Sequence, residues 1–145
     1  PTASAWMPAT GRALLDTNIL IALLAEEAVV VRHVQDAEAV YVPAIALGEL
    51  YYGARKSARA AQNVERVATL AGASAVLACD SATAAVYGEL KAALRAKGTP
   101  IPENDLWIAA LANQHRLTVA SRDEHFDVVP GMVRVGWTEA PSTPP

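Results

Sequence analysis

Arg12-Ala13-Leu14-Leu15-Asp16-Thr17-Asn18-Ile19-Leu20-Ile21-Ala22-Leu23-Leu24 changes its period once, at an acid. Arg12 to Leu15 is a short apolar run. Beyond Asp16-Thr17-Asn18 the apolar residues Ile19, Leu20, Leu23 and Leu24 recur at helical spacing. The stretch therefore reads as a strand feeding a helix, with Asp16 just past the strand's C-terminal end. The same alternation recurs downstream. Residues 29–38 read as a short helix, Ala39-Val40-Tyr41-Val42 as a strand, and Pro43 as the first residue of a helix running to about Ser57. A helix from about Ala58 to Leu70 follows, with Gly72 breaking its pattern, and then a strand over Ala75–Ala78. Asp80-Ser81 caps a long helix that ends near Gly98. The loop Gly98-Thr99-Pro100-Ile101-Pro102 leads to a helix over Glu103–His115. Leu117-Thr118-Val119-Ala120 is a fourth strand and Met132-Val133-Arg134-Val135 a short fifth. Strands apolar on both faces, alternating with helices, imply an α/β protein with a central parallel sheet of four to five strands between helical layers.

The chain has 145 residues, 52% of them hydrophobic and 19% charged, which suits one domain with one sizeable core. No uncharged apolar run approaches the roughly 20 residues a bilayer span needs, so a soluble protein is expected. Cys79 is the single cysteine, which excludes an intramolecular disulfide and a CxxC-type zinc site and suits a reducing cytoplasm. The formal net charge of −3 counts against a domain that holds nucleic acid by its overall field. Residues 1–11 lack the pattern of a signal peptide and read as an N-terminal extension. Residues 12–137 read as the folded domain, and 138–145 as a proline-rich tail without the amide donors a helix or central strand needs.

Asp16 and Asp123 each follow a predicted strand, where open parallel sheets bind ligands near the reversal of strand order. Singly, each is equally well a helix cap or turn former. Glu49 sits in Ala44-Ile45-Ala46-Leu47-Gly48-Glu49-Leu50-Tyr51-Tyr52, otherwise uncharged, where a buried lone carboxylate is costly and an exposed helix face is the plain alternative. Asp105, like Glu103, lies in a first helical turn, which the helix dipole alone would favour. The four acids together are more telling. Two carboxylates about 4 Å apart repel by about 4 kcal/mol at an effective dielectric of about 20, so a converged cluster needs a cation or protons. Oxygen ligands favour magnesium or manganese over zinc. No two of His33, His115 and His125 have the spacing of a zinc pair, and all three read as non-ligands.

Leu14-Leu15-Asp16-Thr17-Asn18, Glu49-Leu50-Tyr51-Tyr52-Gly53-Ala54, Ile101-Pro102-Glu103-Asn104-Asp105-Leu106-Trp107-Ile108-Ala109-Ala110 and Ser121-Arg122-Asp123-Glu124-His125-Phe126 resemble, in order and spacing, the motifs of PIN-domain proteins of the VapC toxin type. The resemblance spans about Arg12 to Trp137. Ser121 stands where that family often has Thr, which keeps the hydroxyl. The resemblance implies a three-layer α/β/α sandwich and a magnesium-dependent endoribonuclease, with manganese as a substitute ion. It implies the toxin component of a type II toxin-antitoxin system, held inactive by a VapB-like antitoxin and forming a homodimer, or a heterotetramer or larger with the antitoxin. Asp16, Glu49, Asp105 and Asp123 would be its catalytic acids, Asp16, Asp105 and Asp123 its metal ligands, and Thr17, Asn18 and Ser121 its secondary polar members.

Rival classes have specific requirements. A phosphatase of the haloacid-dehalogenase class wants a second acid two residues after Asp16, where Asn18 stands. A receiver-type domain wants an acidic pair at the first strand and a lysine after a late one. A nuclease-inactive PIN-like binding module would have an incomplete acid set. Two basic clusters, Arg55-Lys56 with Arg59, and Lys91, Arg95 and Lys97, are candidate phosphate contacts or plain solvated faces. Tyr51, Tyr52, Trp107 and Trp137 offer stacking surfaces but read first as core or interface.

Overall fold

The computed structural model describes residues 11–142; residues 1–10 and 143–145, most of the expected extension and the end of the tail, lie outside the described part. The elements run β1 (Arg12–Leu15), α1 (Thr17–Leu24), α2 (Ala28–Asp36), β2 (Ala39–Pro43), α3 (Ala44–Arg55), α4 (Ala60–Ala73), β3 (Ala75–Leu77), α5 (Ser81–Ala96), α6 (Glu103–His115), β4 (Thr118–Ala120), a 3-10 helix (Glu124–Val128) and β5 (Arg134–Val135).

All five strands are parallel, in the order β3-β2-β1-β4-β5. From β1 the chain steps outward to β2 and β3, then crosses back past β1 to β4 and β5. Right-handed crossovers put connections stepping in opposite directions on opposite faces of a sheet. Accordingly α1 to α4 cover one face, while α5, α6 and the 3-10 helix cover the other. The alternation of side chains along each strand divides the core the same way. Ala13, Leu15 and Ala120 join Ile19, Leu20, Val42, Leu47 and Leu50 on the first face. Leu14 and Val119 join Leu94, Leu106, Leu111 and Phe126 on the second.

Three local expectations shift. Pro43 closes β2, paired with Leu77, instead of opening α3, because its ψ of 135° is extended and its ring fixes φ alone. α4 continues through Gly72 to Ala73, on a surface where a glycine costs only about 1 kcal/mol against alanine. β3 is not apolar-buried on both faces: Ala75 and Val76 are exposed, as suits a short edge strand. No described helix is long and apolar enough to cross a membrane.

Candidate metal centre at the rim of the sheet

β1 and β4 are sheet neighbours whose following connections leave toward opposite faces, so a crevice opens beyond their C-terminal ends. Asp16 ends β1 and caps α1. Its backbone N–H still bonds Ala120 O across the β1–β4 pair (3.0 Å), while its Oδ1 accepts from Thr17 N (2.8 Å). Ser121, fully buried at the end of β4, donates from Oγ to Asp16 Oδ2 at 2.7 Å. The same hydroxyl oxygen accepts from Asp123 N (3.0 Å) and Asn18 Nδ2 (3.2 Å). Asn18 completes the clasp by accepting Arg122 N on Oδ1 (3.1 Å). Thr17, Asn18 and Ser121 thus hold the rim together.

Asp123 caps the 3-10 helix, its Oδ1 accepting from His125 N at 2.9 Å. Its Oδ2 faces His125 Nδ1 at 3.0 Å, and Asp105 Oδ2, from the first turn of α6, meets the same nitrogen at 3.0 Å. Ligand atoms of Asp105, Asp123 and His125 all lie within 4.8 Å of one another. Burial pushes the Asp16 carboxyl above its ordinary range; the bonds from Ser121 and Thr17 pull it back, and the charge of Asp123 adds to the rise. Asp105 is raised likewise, first by burial, with the charges of Asp16 and Asp123 adding to it. Asp16 and Asp105 are thus both raised by burial and by the charge of Asp123, with His125 offsetting part of the rise. Glu49 joins from α3 through a second contact, accepting Thr17 Oγ1 on Oε1 at 3.0 Å.

Asp105, Asp123 and the His125 imidazole form a donor set that suits a divalent cation, with the Asp16 carboxyl close by. A groove of about 810 Å³ runs alongside, between the Gly98–Ile101 loop and the Arg122–His125 segment.

His125 departs from the sequence reading, which set all three histidines aside. Its signal was local: Asp123 caps a turn, Phe126 plunges fully buried into the core, and the residue between Glu124 and Phe126 is left at the rim beside the cap. Arg122, which lines the groove, is held by Glu27 in a two-pronged contact (2.5 and 3.2 Å) and by Trp137 O. Lys91 pairs with Glu103 at 3.4 Å, and Lys56 lies over the Tyr52 ring. Trp107 stacks on Tyr87 and Trp137 on His33; Tyr51 packs against the core, while Tyr52 is exposed.

Comparison with known proteins gives a match to the family model described as PIN domain over residues 13–132. The chain is 32% identical over 127 residues to Ribonuclease VapC2 of Haemophilus influenzae, covering 86% of this chain and 96% of that protein. It is 33% identical over 97 residues to the tRNA(fMet)-specific endonuclease VapC of Salmonella typhimurium, covering 66% of this chain and 74% of that one. Among solved structures, DNA-bound VapBC from Salmonella typhimurium superimposes with a TM-score of 0.81 at 29% identity, covering 87% of this chain and 98% of that one.

Proposed function

The chain belongs to the PIN-domain family, alongside the VapC proteins, and on that premise we propose that it is a metal-dependent endoribonuclease, the toxin of a toxin-antitoxin pair. The observation that carries this reading is the gathering of Asp16, Asp105 and Asp123 at the β1–β4 reversal, Asp105 and Asp123 each 3.0 Å from His125 Nδ1 and Asp16 sharing the Ser121 hydroxyl with the Asp123 amide. In this reading residues 12–137 form the catalytic domain. Asp16, Asp105 and Asp123 hold magnesium, for which manganese substitutes. When bound, such an ion lowers the pKa of a water and polarises a phosphate oxygen.

Glu49, steadied by Thr17, takes the proton of the attacking water. The resulting hydroxide oxygen bonds to phosphorus as the bond from phosphorus to O3′ breaks, and O3′ takes a proton from solvent, leaving a 5′-phosphate and a 3′-hydroxyl, while Glu49 returns its proton to solvent. Ser121 and Asn18 fix the Asp16 carboxyl in place and hold the backbone before Asp123. Asn18 has structural work here: it donates to Asp16 and Ser121 and accepts from Arg122, which an acid in its place could not do. That weighs against the phosphatase and receiver readings.

The partner that suits this role is a VapB-like antitoxin covering the acids, with the toxin as a homodimer inside a heterotetramer or larger assembly. The naming of the Salmonella relatives, an endonuclease specific for a tRNA and a VapBC complex, supports both parts. The test is RNA cleavage by the purified chain. Activity should require magnesium, stop on chelation and vanish in Asp16→Ala, and toxicity on expression should be relieved by Asp105→Asn. Cleavage that survives chelation or Asp16→Ala would remove the proposal.

A further inference from the structure

We infer that His125 is a direct ligand of the ion at this centre, its Nδ1 completing a mixed nitrogen and oxygen set with Asp105 and Asp123. The inference rests on the metal-centre reading above and adds a member to it.

Nδ1 of His125 stands 3.0 Å from Asp105 Oδ2 and 3.0 Å from Asp123 Oδ2. A ring nitrogen carries at most one hydrogen, so it cannot give both carboxylates a full bond of its own. One of the two 3.0 Å contacts is met by a hydrogen bond; the other leaves a nitrogen and a carboxylate oxygen face to face, which a shared cation would satisfy.

The backbone holds the imidazole at this place. His125 N donates to Asp123 Oδ1 (2.9 Å), which turns the other carboxylate oxygen toward the ring. Phe126, fully buried, anchors the turn from below. The His125 side chain is 52% exposed, so an incoming ion reaches it from the groove it lines. The other two histidines are placed elsewhere. His33 stacks on Trp137, and His115 ends α6, at the opposite end of the helix from Asp105. A nitrogen donor favours first-row transition ions over magnesium, so manganese should bind more tightly than magnesium here.

Pulsed EPR of manganese bound to the full chain tests the assignment without reference to activity. The expected spectrum carries nitrogen modulation from a directly bound imidazole. The modulation shifts to the 15N frequency when the histidines are 15N-labelled, and it disappears in His125→Ala while manganese still binds. Loss of that ligand should raise the manganese Kd roughly tenfold or more, and the magnesium Kd by less. Bound manganese without nitrogen modulation in the unsubstituted chain, or modulation that persists in His125→Ala, overturns the inference and leaves the acidic centre standing. Absence of manganese binding, or binding indifferent to Asp16→Asn, removes the centre itself. The isotope comparison on the unsubstituted chain decides the matter even where the variant folds poorly.

Discussion

Ser121 Oγ donates to Asp16 Oδ2 at 2.7 Å, joining residues 105 positions apart across the seam between β1 and β4. This is the buried hydroxyl that compensates a buried carboxylate, and the amide of Asp123 rests on the same oxygen. Ser121→Ala should cost about 1–3 kcal/mol in urea unfolding, the usual price of an unsatisfied buried polar group, and weaken metal binding. Ser121→Thr keeps the hydroxyl and should retain metal binding. Equal behaviour of the two variants would show that the hydroxyl does not matter.

Asp16 sits above its ordinary 3.8 in the folded chain. A raised folded value means that this group favours folding most below its unfolded value, a contribution lost as pH rises through the folded one. At neutral pH and without metal, the ionised carboxyl therefore opposes folding. Asp16→Asn keeps a good helix cap. It should raise Tm by a few degrees at pH 7 in chelator, and the gain should shrink as pH falls to about 4. Magnesium should reverse the order of the two proteins. A lower Tm for Asp16→Asn in chelator at pH 7 contradicts this account.

Glu49 accepts from Thr17 Oγ1 at 3.0 Å and stands outside the Asp105, Asp123 and His125 group. Glu49→Gln should slow RNA cleavage roughly 100-fold or more, the scale of a lost general base, with magnesium affinity little changed. Thr17→Val should slow it by a smaller factor in the same direction. A large loss of magnesium affinity in Glu49→Gln would make Glu49 a ligand instead.

Phe126 is fully buried beneath the turn that carries Asp123 and His125. Phe126→Ala should destabilise the fold by about 3–5 kcal/mol. The milder Phe126→Leu should keep the fold and still weaken manganese binding by displacing the turn. Calorimetry and metal titration on the two variants separate the effects.

Asp80 caps α5, accepting from Thr83 N at 3.0 Å, and Thr83 Oγ1 answers by accepting Asp80 N. The bonds from Thr83 hold the Asp80 carboxyl below its ordinary range. A lowered folded value stabilises above the unfolded value and is lost as pH falls through the folded one. Asp80→Ala should therefore lower Tm at neutral pH, and the deficit should fade in acid. A deficit constant with pH would assign the effect to the helix cap's geometry alone.

The sequence carried the order of elements because the apolar period switches cleanly between strand and helix, most visibly at Asp16 and around the Glu103–His115 helix. It was less informative where one residue suits two backbones. Pro43 has a φ common to strand and helix, and only the pairing with Leu77 decides between them. Four acids were legible in familiar strings; the adjacency of β1 and β4 brings Asp16 and Asp123 to one rim, Asp105 meets them from the first turn of α6, and Glu49 reaches only Thr17. His125 escaped because ligand patterns for histidine look for a second histidine. Its partners are two aspartates, one 20 residues away and one at the start of its own turn. The engagement of Arg122 by Glu27 was equally hidden, since it depends on the turn between α1 and α2 passing under the end of β4.

β1 lies between β2, which follows it closely in the chain, and β4, which is made only after α5 and α6. Until the ribosome has passed Ser121, Asp16 faces an unfinished wall, and Asp123 does not yet exist. A translation product that stops before Ser121 therefore lacks Ser121, Asp123 and His125 and cannot assemble this rim.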